Sequence, residues 1–358
     1  MFFNIISIPV TIFFIIVGCG LLCYAIRLKK KFSEEHNFMN SILTFLLWII
    51  AGLVYPFFFS TNNSNIRFFQ TLSTLFICIF TPGIIFLILY YQYQYVVKVN
   101  PNIKSRRNLE TFLKNYNNRS ELTDQKTSDI KTDLHRKALH LFPAGIIILL
   151  WIFANYIWDG FWNADDLWGI SGEEFGRFLI LTAGYSGILV FAGLDYVRLS
   201  FIFENRNLYH LLPDNVLNIL GKTIKRNEIY EYTRPAVIAL SFIPIFFLPF
   251  GVFCAATLIA TIGDGAASIF GLKFGKKNFP KSSKKTIIGY IAGFIASFGV
   301  SIFALWLFEP KLLLLKIIVI SISGALIFFL IDIIDLKIDD NILNPIFCGL
   351  LMWIVYII

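Results

Sequence analysis

The sequence predicts an all-α protein, a polytopic transmembrane helical bundle of about ten spans. Three observations predict it. Of the 358 residues, 57% are hydrophobic and only 15% charged, with a mean hydropathy of +0.70. That balance belongs to an integral membrane protein rather than to a soluble core. Several apolar stretches reach the roughly 20 residues that a helix needs to cross a bilayer. The polar segments between them alternate between basic and acidic, as the positive-inside rule requires.

The spans are expected near 4–26, 40–60, 68–96, 138–157, 177–197, 234–249, 252–270, 286–308, 312–331 and 343–358. The first is too long for a signal peptide and lacks a basic leading region. Its basic cluster, Arg27 with Lys29, Lys30 and Lys31, comes after it, so it reads as an anchor. The third is long enough to tilt or to run past the bilayer. The loops 98–137, 198–233 and 271–285 are rich in lysine and arginine, whereas 158–176 carries Asp159, Asp165, Asp166, Glu173 and Glu174. The charge rule therefore puts 27–39, 98–137, 198–233, 271–285 and 332–342 in the cytoplasm, with both termini outside. An endoplasmic reticulum and a prokaryotic plasma membrane both fit. The net charge of +8 is topological, and no aromatic-plus-basic surface suggests nucleic acid.

Three regions are expected. Residues 1–97 form accessory spans almost without intramembrane charge, 98–132 a polar linker or short surface helix, and 133–358 the part that holds every unusual polar feature. The five cysteines lie in apolar spans without a C-x-x-C pair and read as packing residues. Asn62-Asn63-Ser64 is a glycosylation acceptor pattern on the predicted outer face.

The most informative stretch is 263–289. Asp264 sits in an otherwise apolar segment, and an intramembrane acid is costly enough to signal function. On a helix, Asp264, Ser268, Gly271 and Gly275 form one stripe. Its small residues allow close approach of a helix or a ligand; for the glycines alone, helix packing is the better reading. Lys273, Lys276, Lys277, Lys281, Lys284 and Lys285 follow, then Gly289. Lysine is a compact point charge suited to phosphate, and a carboxylate can hold Mg²⁺ while phosphates complete its shell. The alternative for the lysines is an ordinary topogenic loop. Gly271-x-x-x-Gly275-Lys276-Lys277 is one residue short of a P-loop and lacks its Ser/Thr.

Four further clusters sit at the same predicted face. Arg136, Lys137 and His140 stand at the mouth of span 138–157, positioned to grip phosphate, to snorkel, or for His140 to act as a base. Asp195-x-x-Arg198 is at least a helix-internal ion pair. Arg226-x-Glu228 lies in the loop that follows. Asp332, Asp335 and Asp339 share one helix face, followed by Asp340 and Asn341. Clustered acids there call for a cation or for the loop lysines.

In this order the clusters resemble the membrane-bound CTP-dependent lipid-alcohol kinases: dolichol or polyprenol kinases, phytol kinases and a CTP-dependent diacylglycerol kinase. These are distantly related to the CDP-diacylglycerol synthases. The resemblance covers about 133–358. It rests on Arg136-Lys137-x-x-His140, Asp195-x-x-Arg198, Arg226-x-Glu228, Gly263-Asp264-x-Ala266-Ala267-Ser268, Lys284-Lys285-Thr286-x-x-Gly289 and Asp339-Asp340-Asn341-x-x-x-Pro345. Asp332 stands where the family often has glutamate. The resemblance implies CTP as donor, Mg²⁺ as cofactor and a long isoprenoid alcohol as acceptor, at a site facing the cytoplasm. On it, Asp264 and Asp340 hold the metal, with Asp264, His140, Asp339 and Asp340 as the catalytic set. Arg136, Lys137, Gly271, Gly275, Lys276, Lys284, Lys285 and Asn341 meet the nucleotide. Asp195, Arg198, Arg226, Glu228, Ser268, Gly289, Asp332 and Asp335 support them. A phytol or diacylglycerol kinase, a cytidylyltransferase and a transporter are the alternatives.

Overall fold

A chain this apolar must satisfy its backbone within each segment, and helices do so. The computed structural model describes residues 5–59, 64–121, 125–280, 285–334, 336 and 338–358. Asn62, Asn63, Lys281, Lys284 and Asp335 lie outside the described residues. Among those described there is no strand, only one isolated bridge between Asn278 and Thr286. Among the described residues nine helices are long and apolar enough to cross a membrane: α1 (Ile5–Lys31), α2 (Phe38–Phe57), α3 (Ser64–Val97), α4 (Ile130–Asp159), α5 (Gly172–Ile202), α6 (Phe250–Phe274), α7 (Ile287–Phe308), α8 (Leu314–Ile334) and α9 (Asp340–Ile357).

Their ends follow from local sequence. The basic last turn of α1, Lys29 to Lys31, complements the helix dipole. Asn37 caps α2 by accepting from the Asn40 backbone N–H at 3.3 Å. Ser171 and Glu174 form a capping box at α5. Thr286 caps α7 and Asp339 caps α9.

The expected span 234–249 is not a long helix. Its helix covers Arg234–Phe242, and turns carry the chain on to α6. The reason is Pro244 and Pro249: a proline lacks the N–H and pushes its predecessor out of helical geometry. This segment still runs from one end of its bundle to the other. Ser241 bonds to Asn341 at the start of α9, Ile245 and Leu248 pack on Gly349, and the Gly251 N–H donates to Glu309 between α7 and α8 at 3.0 Å. The Tyr356 hydroxyl meets the same carboxylate at 3.2 Å.

The described chain divides into two compact units, along lines other than 97 and 132. One comprises 1–122 with 146–236, the other 123–145 with 237–358. The polar stretch 98–132 is largely helical, including Ile103–Arg106 and Leu109–Glu121. The first unit packs α1–α3 and the later part of α4 with α5. Phe14, Trp48, Tyr55 and Tyr185 form its aromatic centre, with ring centroids 4.7–5.0 Å apart from Phe14 to Trp48 and Tyr185 and 4.9 Å between Tyr55 and Tyr185. The buried hydroxyls there are spent: Tyr185 on the Ala51 carbonyl at 2.8 Å and Tyr55 on Ser73 at 2.9 Å. The second unit packs the start of α4 with α6–α9, and α6 is the most enclosed of the nine helices.

The loop between α1 and α2 carries a buried histidine in the first unit. His36 Nδ1–H donates to the Tyr230 carbonyl at 2.8 Å, leaving Nε2 to accept from the Ser41 hydroxyl at 3.3 Å. Burial pushes this imidazole below the ordinary histidine range; the bond to Tyr230 opposes that shift and the charge of Lys29 adds to it. The neutral form is favoured by folding. The stability it contributes is therefore complete above the ordinary histidine pKa of ~6.5 and is lost as pH falls through the depressed value. Unfolding midpoints in detergent from pH 8 to pH 5 should fall for the wild type, and by less for His36→Gln.

Candidate functional site

In the second unit α4 enters with three polar residues on one face, Asp133, Lys137 and His140, all buried. α6 runs antiparallel to it and offers Asp264 and Ser268, one turn apart. The two helices join in two rungs. Lys137 Nζ donates to the Asp264 carboxylate, and the Ser268 hydroxyl donates to Asp133 at 2.5 Å. Asp133 also pairs with Arg136 at 2.6 Å. Gly265 lies against the Lys137 stem, where a Cβ would come within 3.9 Å of it.

α6 begins its last turns with a π-helical stretch, Ile259–Gly263, ending at Asp264. Single π turns inside helices recur at functional sites. Beyond Asp264 the glycine stripe meets α7. A Cβ on Gly271 would lie 3.1 Å from the Thr286 hydroxyl, and one on Gly289 would lie 2.7 Å from the Ala267 carbonyl. Gly275 crowds the same threonine. In this structure Gly271, Gly275 and Gly289 serve close helix packing.

The third side comes from α7 and α8. Lys285, just before the Thr286 cap, donates to the Asp332 carboxylate at 2.7 Å and to its backbone carbonyl at 3.2 Å. Asp332 is also within electrostatic reach of Asp264 and Asp340. The fourth side is the start of α9. Asp339 Oδ1 accepts from the Asn341 backbone N–H at 3.0 Å and from its side-chain nitrogen at 2.8 Å. The same nitrogen reaches Asp340 Oδ1 at 3.3 Å. Lys276 is exposed on the loop between α6 and α7.

Among the described residues, Asp133 pairs with Arg136, Asp264 with Lys137 and Asp332 with Lys285, and Asp339 and Asp340 stand at the start of α9. Among the described residues no three His, Cys, Asp or Glu side chains are arranged as a metal cage. The donor set suits an ion held by one or two carboxylates and completed by phosphate oxygens, the usual Mg²⁺ arrangement.

Asp195, Arg198, Arg226 and Glu228 belong to the other unit and do a different job there. Arg198 donates to Asp195 Oδ1 at 2.9 and 3.2 Å, to the Ile229 carbonyl at 2.6 Å and to the Glu231 carbonyl. Asp195 Oδ2 accepts from the Thr233 N–H at 2.9 Å and its hydroxyl at 3.1 Å. The pair is a buried clamp on the 229–233 loop. Arg226 is exposed and reaches Asn117 at 2.5 Å; Glu228 faces Arg234 at 3.5 Å, and Arg234 pairs with Glu231 at 2.6 Å. Burial pushes the Glu231 carboxyl above the usual range, with the charge of Arg234 only partly opposing the shift.

Sequence reasoning missed Asp133, Ser241 and Asn344. Asp133 had a signal, since it precedes Lys137 by four residues and His140 by seven. Ser241 had another. Pro345 cannot donate to the carbonyl four residues back, so Asn341 needs a donor from elsewhere. The buried Ser241 hydroxyl supplies it at 2.9 Å, shared with the Ile238 carbonyl at 2.7 Å. Ser241→Ala should lower stability by about 1–3 kcal/mol by orphaning that carbonyl; detergent unfolding with unchanged midpoint would refute it.

No family model, no curated protein and no solved structure matches the chain.

Proposed function

We propose that the chain transfers the terminal phosphoryl group of a nucleoside triphosphate, CTP on the resemblance of its motifs, to a long isoprenoid alcohol in the membrane. The observation that carries this reading is the buried Lys137–Asp264 pair, set beside Lys285–Asp332. Residues 127 positions apart in sequence put a cation and a carboxylate side by side within an apolar bundle. Phosphoryl transfer asks for that juxtaposition: carboxylate for the ion, lysine for phosphate oxygens, and little covalent work by the protein.

Asp264 and Asp340 would hold Mg²⁺, which when bound neutralises charge on the phosphates. Lys137 and Lys285 would meet phosphate oxygens, with Lys276 on the adjoining loop and Arg136 assisting. His140, buried one turn beyond Lys137 on α4, is the candidate for accepting the alcohol's proton. Asp339 and Asn341 fix the start of α9 and so the position of Asp340.

Purified full-length chain in detergent, given Mg²⁺ and labelled CTP or ATP with polyprenol, phytol or diacylglycerol, should form a lipid monophosphate and release nucleoside diphosphate. Pyrophosphate as the product would instead identify a cytidylyltransferase. No phosphorylated lipid from any pairing overturns the kinase reading.

A further inference from the structure

α9 carries two amide side chains three residues apart, Asn341 and Asn344, both more than nine-tenths buried. The Asn341 amide is oriented by its nitrogen, which donates to Asp339 and Asp340. Its oxygen therefore points away from those carboxylates. Neither Asn341 Oδ1 nor Asn344 Oδ1 has a hydrogen-bond partner among the described residues. Buried acceptors are nearly always bonded, so two neighbouring exceptions ask for a donor. No hydroxyl of the same unit bonds to either oxygen among the described residues, and Ser297 and Ser321 are buried without a partner of their own. Ser241, Thr257, Thr261 and Ser301 are all spent on backbone carbonyls.

The helical period places Asn344 at a border. On one side lies the buried seam of Asn341, Pro345, Cys348 and Met352; on the other lies the exposed apolar stripe of Phe347, Leu350 and Ile354. A ligand fitting both would have an apolar body along the stripe and a hydrogen-bond donor at its head. An anion is disfavoured, because the head would meet acceptors only. A metal ion is disfavoured as well, because the Asn341 oxygen faces away from the carboxylates that would neutralise it.

We propose that Asn341 and Asn344 form the recognition site for the hydroxyl of a neutral membrane alcohol. The proposal rests on the kinase reading, and it names how that site selects its acceptor. The alcohol's O–H donates to an amide oxygen, leaving the lone pairs of its oxygen for phosphorus. In the reaction the alcohol oxygen bonds to the terminal phosphorus. The bond from that phosphorus to its bridging oxygen breaks, and the electron pair leaves with the nucleoside diphosphate. The alcohol's proton passes to a neighbouring protein base and then to water. Asn344 is thus a specificity residue that selects alcohols over their ethers or phosphates.

The test is competition against a tritiated long-chain isoprenoid alcohol bound to the full-length chain in detergent. The unlabelled alcohol is compared with its methyl ether, which keeps the oxygen and loses the donor. The ether should compete about tenfold less well, the loss of one net hydrogen bond at the upper end of the usual range. Asn344→Leu, close in shape, should bind both alike. Equal competition in the wild type overturns the proposal without any variant, and so does discrimination retained in Asn344→Leu. Discrimination without any lipid phosphate would sink the kinase reading and leave the alcohol site standing. Lipid phosphate formed while ether and alcohol compete equally would do the reverse.

Discussion

Lys137→Met should destabilise the chain by about 3–5 kcal/mol, and Asp264→Leu by a similar amount, because each leaves one charge buried without its partner. The double variant should recover most of the loss, since an apolar pair of similar volume is often as stable as a buried ion pair. Both side chains are buried, in helices that contribute the two rungs between α4 and α6. Unfolding in detergent gives the coupling energy through a double-mutant cycle. Additive losses would mean that the two groups do not act as a pair. Turnover separates structure from chemistry. On the proposed kinase reading, the stable double variant should be inactive, and Asp264→Asn should cut lipid phosphate formation by about 10²–10³-fold, the cost of removing one electrostatic group from such a site. A double variant that is both stable and active would reduce the pair to packing.

Arg198→Leu should cost about 3–5 kcal/mol in the other unit. It strips Asp195 of its counter-charge and leaves the Ile229 and Glu231 carbonyls without their donor. Arg198→Lys should recover little, because a single ammonium cannot reproduce a fork that serves a carboxylate and two carbonyls at once. Limited proteolysis between 203 and 233 should speed up in both variants. Unchanged cleavage would show that the 229–233 loop is held by its other contacts, such as His36 on Tyr230.

The helical class was legible because hydropathy acts locally: twenty apolar residues in a row dictate a helix whatever packs against them. The exception, 234–249, was legible too in its prolines at 244 and 249, whose effect on the helix outweighs apolarity. The site was half legible. Asp264 and Asp332 stood out as acids against apolar segments, and Lys137 and Lys285 as members of basic clusters at the predicted cytoplasmic border. Their pairing did not, because an ion pair between positions 137 and 264 depends on how α4 and α6 lie together. The glycines at 271, 275 and 289 show the same limit. Their spacing said that something approaches closely, and only the packing of α6 on α7 said that it is a helix.

The sequence by itself determined the membrane class, the position of most spans and the list of costly charges, since each follows from the free energy of moving a residue or a short segment out of water. The tertiary structure decided which charges meet. In one unit it made the Asp195–Arg198 pair a brace on its own loop, and in the other it joined Lys137 to Asp264 and Lys285 to Asp332. It also found Ser241 and the two asparagine oxygens, because hydrogen-bond satisfaction is a property of neighbours in space rather than of residues in order.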